Sequence, residues 1–157
     1  MLTTNDIAPV LIEVGEGLLA DLIDAQNQRG LRASGYSAQN TRSVVEIDAK
    51  TITLSLIGPA YWRQQNEGRG PNRRKGRPSS AFVQTIREWI QIKGLSIPMA
   101  AAGAIAYKIV NSGIKVPNPH NRGGVVSETL EPVRIGAEIK TALRSKLVSN
   151  IRAQLFA

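Results

Sequence analysis

Between Asn5 and Gln28 the apolar residues Ile7, Val10, Leu11, Val14, Leu18, Leu22 and Ala25 step by threes and fours, which gathers them on one face of an α-helix. Thr4 or Asn5 is placed to cap its start and Gly30 to stop it, and the opposite face is acidic. Gly15 and Gly17 lie inside this helix, each weakening it by about 1 kcal/mol relative to alanine. The pattern therefore predicts either a kink or a second backbone in close approach. Leu31 to Thr41 is polar and contains glycine, so it reads as a connection. From Ser43 to Ile57 the period changes to two: Val45 and Ile47 alternate with Glu46 and Asp48, and Ile52, Leu54 and Leu56 with threonine and serine. Two strands with one buried face follow. A turn at Ala49 and Lys50 puts Ile47 opposite Ile52 and Val45 opposite Leu54, with all four on one face. Ala-Lys is a poor primed turn, which leaves room for a longer or bulged one. A lone hairpin is barely stable, so helices or strands of neighbouring copies must cover that face.

Gly58-Pro59 opens a short helix through Tyr61, Trp62 and Gln65 that ends at Gly68. Gly68 to Pro78 holds three glycines and two prolines, so no helix or strand passes through it. A helix then starts at Ser79 or Ser80, carries Phe82, Ile86, Trp89, Ile90 and Lys93 at helical spacing, and stops at Gly94. Pro98 suits a first helical turn. Met99 to Asn111 follows as another helix, with Ala102, Ile105, Ala106, Ile109 and Val110 inward and Gly113 as the stop. Its alanines permit close packing. Residues 114–124, rich in proline, glycine and asparagine, form a second irregular loop expected to be mobile. A last helix runs from about Pro132 to Phe156 with Ile135, Ile139, Leu143, Leu147 and Ile151 spaced by four, while Lys140 and Arg144 share another face. The whole predicts a single α+β domain over residues 1–157: a small antiparallel sheet with a β-hairpin, packed against four to five helices.

The middle of the chain carries a resemblance. Gly-Pro-x-Tyr at 58–61, Glu-Gly-Arg-Gly-Pro at 67–71, Ile-Arg-Glu-Trp-Ile-x-x-Lys-Gly-Leu at 86–95 and Ala-Ile-Ala-Tyr-Lys-Ile-x-x-x-Gly at 104–113 occur in an order that resembles tail-completion and head–tail connector proteins of tailed bacteriophages. The similarity spans roughly residues 33 to 125, and in that family a Ser-Gly motif, here Ser34-Gly35, leads into the first strand. The resemblance implies a virion structural protein that works as a ring of copies in the neck or tail, beside portal, neck or tail proteins, and is made in the host cytoplasm. Tyr61, Trp62, Lys140 and Arg144 are the expected contacts between copies.

Composition narrows this picture. At 4% aromatic against 42% hydrophobic residues, the core must be aliphatic. The absence of cysteine excludes disulfide frameworks and cysteine-rich metal sites, and a single His120 cannot build a histidine cluster. Charge interrupts every apolar stretch before the ~20 residues of a membrane span. No basic-then-apolar leader opens the chain, so a soluble protein is expected. The net charge of +8 is unevenly spread. Residues 1–30 carry five acids against Arg29, and residues 132–157 carry five bases against Glu138, so the two end helices are electrostatic complements expected to meet.

The densest charge lies in the loop at 68–79. Arg69, Arg73, Arg74, Lys75 and Arg77 are five of the nine residues from 69 to 77, with no acid among them. Such a loop stays extended until something anionic meets it. It is the main functional candidate, for docking on an acidic partner surface or for non-specific contact with DNA in a channel; a small cytoplasmic nucleic-acid-binding protein is the alternative. No stacking aromatic lies within the loop. Trp62 and Trp89 flank it and are both expected in the core. Catalysis finds no support. Gly68-Arg69-Gly70 starts like a dinucleotide fingerprint, but Arg73 stands where the third glycine belongs, and no Lys-Ser or Lys-Thr pair closes a phosphate-binding loop. No carboxylate pair shares a predicted cleft, and His120 has no partner acid, so the reading is a protein without enzyme activity or cofactor.

Overall fold

The computed structural model describes residues 2–32 and 34–155. In chain order the elements are α1 (Thr4–Gln28), α2 (Tyr36–Gln39), β1 (Arg42–Ile47), β2 (Ile52–Ile57), α3 (Tyr61–Glu67), β3 (Gly68–Arg69), α4 (Ser80–Ile92), α5 (Ala102–Ser112), β4 (Ile114–Lys115), α6 (Val125–Thr129) and α7 (Pro132–Leu155); a 3-10 turn at Met99–Ala101 precedes α5. The protein is α+β, with two small two-stranded antiparallel sheets, β1-β2 and β3-β4, among helices. Ala33, about where the expected resemblance begins, and Phe156, the expected end of the last helix, lie outside the described residues.

The long helix α1 is the centre of one packing unit, with the hairpin, α6 and α7 laid against it. Its buried residues Val10, Leu11, Leu18, Leu19 and Leu22 are those of the predicted stripe and its neighbours. Burying a leucine completely, as at Leu18 and Leu22, stabilises by roughly 1.5–3 kcal/mol. The start differs from expectation: Thr3, rather than Thr4 or Asn5, is the N-cap, and its N–H and hydroxyl both donate to the Asp6 carboxylate at 3.0 and 2.7 Å. The hairpin has the predicted register, with Val45 opposite Leu54 and Ile47 opposite Ile52. Its turn is the short one at Ala49 and Lys50, closed by the Asp48 N–H on the Thr51 carbonyl at 2.9 Å. Gly15 is the reason it docks on α1. A Cβ there would sit 2.7 Å from Ser43 Cβ and 2.8 Å from Leu54 Cδ1, so the glycine allows the close approach that the sequence left open.

A second cluster joins α4 to α5. Ile86 and Ile90 meet Ala102 and Ala106, with Phe82, Val83, Ile97, Ile105 and Ile109 around them. Both alanines are completely buried, which brings the two helices close. Ser79 caps α4 by accepting the Phe82 N–H at 3.2 Å, and Gly94 takes the left-handed conformation (φ 59°) that ends it. The buried hydrophobic residues are all aliphatic, as the composition requires. Trp89, expected in this core, is instead 39% exposed, because it sits on the flank of α4 rather than on the line through Ile86 and Ile90. Trp62 is half-buried, its ring over Gly58 and its indole N–H donating to Ser37 Oγ at 2.9 Å.

The end helices meet, antiparallel, as their charges predict. Arg134 near the start of α7 pairs with Asp21 near the end of α1, while Asp6 at the start of α1 accepts from Asn150 Nδ2 at 3.0 Å and lies 4.0 Å from Lys146 Nζ. Two short helices were not anticipated. α2 lies in the polar connection, and α6 follows the second loop, its N–H groups at Val126 and Ser127 both donating to Asn66 Oδ1 at 3.0 Å. Val125 of α6 is completely buried.

Candidate interaction surface

The basic loop leaves α3 through β3, which pairs antiparallel with β4: Gly68 faces Lys115 and Arg69 faces Ile114. This pairing sets the start of the loop against the end of α5. At Gly113 (φ 75°) a Cβ would collide with the backbone at Arg69 to Pro71, so only glycine lets the loop lie there. Farther along, the Asn72 N–H donates to the Val110 carbonyl at 2.8 Å. The Asn111 amide then clasps Gly76 from both sides, accepting its N–H at 2.9 Å and donating to its carbonyl at 3.0 Å. The expectation that no strand enters 68–78 fails at its first two residues, because Gly68 and Arg69 pair with β4. From Gly70 to Ser79 the loop has neither helix nor strand, yet its backbone is tied to one place by neutral hydrogen bonds. Arg73, Arg74, Lys75 and Arg77 take no part in that anchoring among the described residues.

Arg69 is half-buried and donates to Asn72 Oδ1, which makes it a brace of the loop. Arg73, Arg74, Lys75 and Arg77 are exposed and form no ion pair among the described residues. Fixing the backbone near the carbonyl end of α5 suits cations, whereas Arg77 just ahead of the α4 N-terminus gains nothing from that helix. The arrangement thus presents four unneutralised charges on a located segment. What it can do is meet an anionic surface without first ordering its whole backbone.

Neighbouring groups enlarge the surface. Arg63 and Lys115 join Arg69 around a shallow groove, with Glu67 paired to Arg63 at 3.2 Å. Tyr107, 54% exposed, lies one turn before Asn111, whose Nδ2 donates to the Tyr107 carbonyl at 2.8 Å, so an aromatic ring stands on the helix that holds the loop. Sequence reasoning missed both additions. A two-residue strand pair leaves no periodic signal for Lys115, while the spacing of Tyr107 from Asn111 was readable but not the contact of Asn111 with Gly76.

The expected contact residues between copies are scattered. Tyr61 and Trp62 are half-buried in α3, with the Tyr61 ring 6.4 Å from that of Tyr36. Lys140 and Arg144 are exposed on α7, away from the basic loop in sequence and element. Arg144, Ser145, Val148, Ser149 and Arg152 line a shallow surface on α7, and Ile151 and Leu155 farther along the helix are exposed. The second irregular loop is held by its own hydrogen bonds, among them Asn121 Nδ2 to the Gln65 carbonyl at 2.8 Å and Gly124 N–H to the Asn66 carbonyl at 3.0 Å. Arg29 and Arg122 both pair with Glu128 at 2.6 Å beside it. His120 is exposed in this loop. Among the described residues no cluster of His, Asp or Glu could hold a metal ion, and no helix is long and apolar enough to cross a membrane.

No protein-family model matches the chain, and neither a curated protein nor a solved structure is significantly similar to it. The functional reading rests on the residues themselves.

Proposed function

We propose that this chain is a structural subunit of a tailed-phage virion, forming a ring in the neck or tail as a head–tail connector or tail-completion protein, and that its basic loop docks on an acidic protein surface during assembly. The observation that carries the reading is the fixed loop whose outward cations Arg73, Arg74, Lys75 and Arg77 have no partner among the described residues. Large exposed apolar residues support it: Trp89, Ile92, Leu95 and Met99 around the end of α4, and Val148, Ile151 and Leu155 on α7, are surface that association would cover. The order of the motifs at 58–61, 67–71, 86–95 and 104–113 supplies the phage setting.

A second reading, non-specific contact with nucleic acid, draws on Tyr107, an exposed aromatic one turn before Asn111 on the helix that holds the loop. Replacing Arg73, Arg74, Lys75 and Arg77 with serine separates the two. Docking on protein predicts a variant that fails to join neck or tail complexes while its weak DNA affinity hardly changes. Contact with DNA predicts instead a loss of affinity for all sequences alike, with the slope of log affinity on log salt flattened by up to ~0.9 per lost phosphate contact. That result, with particle assembly intact, would overturn the docking reading.

A further inference from the structure

The acidic surface that the loop needs is present on the chain itself. On α1, Glu13, Glu16 and Asp24 are exposed and form no ion pair among the described residues, unlike Asp6 and Asp21, which face α7. At 100° per residue Glu13, Glu16, Gly17, Ala20 and Asp24 fall on one side of the helix, and the small residues between the acids leave them accessible. All five positions are exposed. A Cβ at Gly17 would meet nothing within 4 Å, so this side is open where the opposite side, at Gly15, is pressed on the hairpin. The loop and this helix face are two patches of opposite sign, and among the described residues no ion pair joins them.

We infer that the basic loop of one copy docks on the outer acidic face of α1 of the next copy. The inference rests on the ring reading above and names the partner of its loop. Like charge opposes a loop-to-loop or α1-to-α1 contact, whereas loop-to-α1 is attractive, and the ring reading makes that contact head-to-tail, each copy offering its loop to one neighbour and its α1 face to the other. A head-to-tail contact repeats from copy to copy and closes into a ring when its rotation allows. The ion pairs choose partner and orientation. Exposed apolar residues of the same helix pair, such as Trp89 and Ile92 towards the other end of α4 from the loop, are surface that the contact can bury.

Charge exchange tests this. One variant reverses the loop (Arg73→Glu, Arg74→Glu, Lys75→Glu) and a second reverses the helix face (Glu13→Lys, Glu16→Lys, Asp24→Lys). The masses of the wild type, each variant and their equal mixture are followed by sedimentation at low and high salt. Circular dichroism establishes that both variants are folded, and conversion of the same acids to glutamine serves in place of a lysine variant that does not fold. We expect the wild type to self-associate at low salt and dissociate as salt rises, each variant alone to remain a single chain, and the mixture to associate again, because each acidic loop then meets a basic helix. Association of either variant alone, or a folded mixture that stays dissociated, overturns the inference. So does a wild type that remains a single chain at low salt. If it does so while the serine variant of the loop still fails to enter neck or tail complexes, the loop's partner is another virion protein and the reading under Proposed function survives.

Discussion

Two glycines two residues apart in α1 have opposite surroundings, and their substitutions should have opposite signs. Gly17 faces open space, so Gly17→Ala should gain the helix propensity of alanine and stabilise by about 1 kcal/mol. At Gly15 the same gain is outweighed, because the new methyl group would press on Ser43 and Leu54, whose displacement costs roughly 1–3 kcal/mol. Chemical denaturation of the two variants should therefore move the midpoint in opposite directions. The tryptophans separate in a similar way. Trp62→Ala removes a half-buried ring and orphans its contact with Ser37, a loss of roughly 2–3 kcal/mol, below the ~3–5 of a fully buried aromatic. Trp89→Ala should cost about 1 kcal/mol in the isolated chain and act chiefly on association. Equal losses of thermal stability for the two would contradict this assignment.

At the scale of elements, the seam between α1 and α7 is where charge becomes structure. The Asp6 carboxyl is held below its ordinary value of 3.8, at about 2, first by the Thr3 N–H, then by the Asn150 amide and the Thr3 hydroxyl. A carboxyl whose folded value is lower than its unfolded one stabilises fully above the unfolded value and loses that contribution as pH falls through the folded one. The melting temperature should therefore drop between about pH 4 and pH 2 more steeply in the wild type than in Asp6→Asn. Parallel acid profiles for the two proteins would mean that neither the Thr3 cap nor the Asn150 contact holds the ionised Asp6. At the other end Arg134 is kept protonated first by Glu138 and then by Asp21. These exposed groups add little energy, but two links near opposite ends of the helices set which way α7 lies.

Across the whole molecule, stability and the candidate interaction surface are physically separate. The core lies around α1 and between α4 and α5, whereas the loop is anchored by backbone groups and the Asn111 amide. The serine variant of the four loop cations should therefore unfold within about 0.5 kcal/mol of the wild type, read from its denaturant midpoint. A large loss would mean that the loop cations help to hold the fold. Large apolar residues left at the surface include Trp89 and Ile92 on one flank of α4, Ile151 and Leu155 at the far end of α7, and Ile47 at the tip of the hairpin, where the face expected to be covered runs out past its neighbours.

The chain by itself determined the elements whose periodicity is long or whose punctuation is strong. Seven apolar positions in α1, a hairpin with only one register that keeps Val45, Ile47, Ile52 and Leu54 together, and helices stopped at Gly68, Gly94 and Gly113 were legible because local sterics and binary pattern leave little choice. The list of loop cations and the attraction of the end helices were legible because charge is a property of residues. Tertiary structure alone decided where those charges stand. Which of two glycines meets a neighbour, whether a tryptophan at the edge of an apolar stripe is covered, and that Asn111 reaches Gly76 across 35 residues all depend on contacts between segments distant in sequence. The two-residue β3-β4 pairing and the short α2 and α6 have too few residues to show a period, and they depend on groups brought from elsewhere in the chain, as Asn66 Oδ1 holds the first turn of α6.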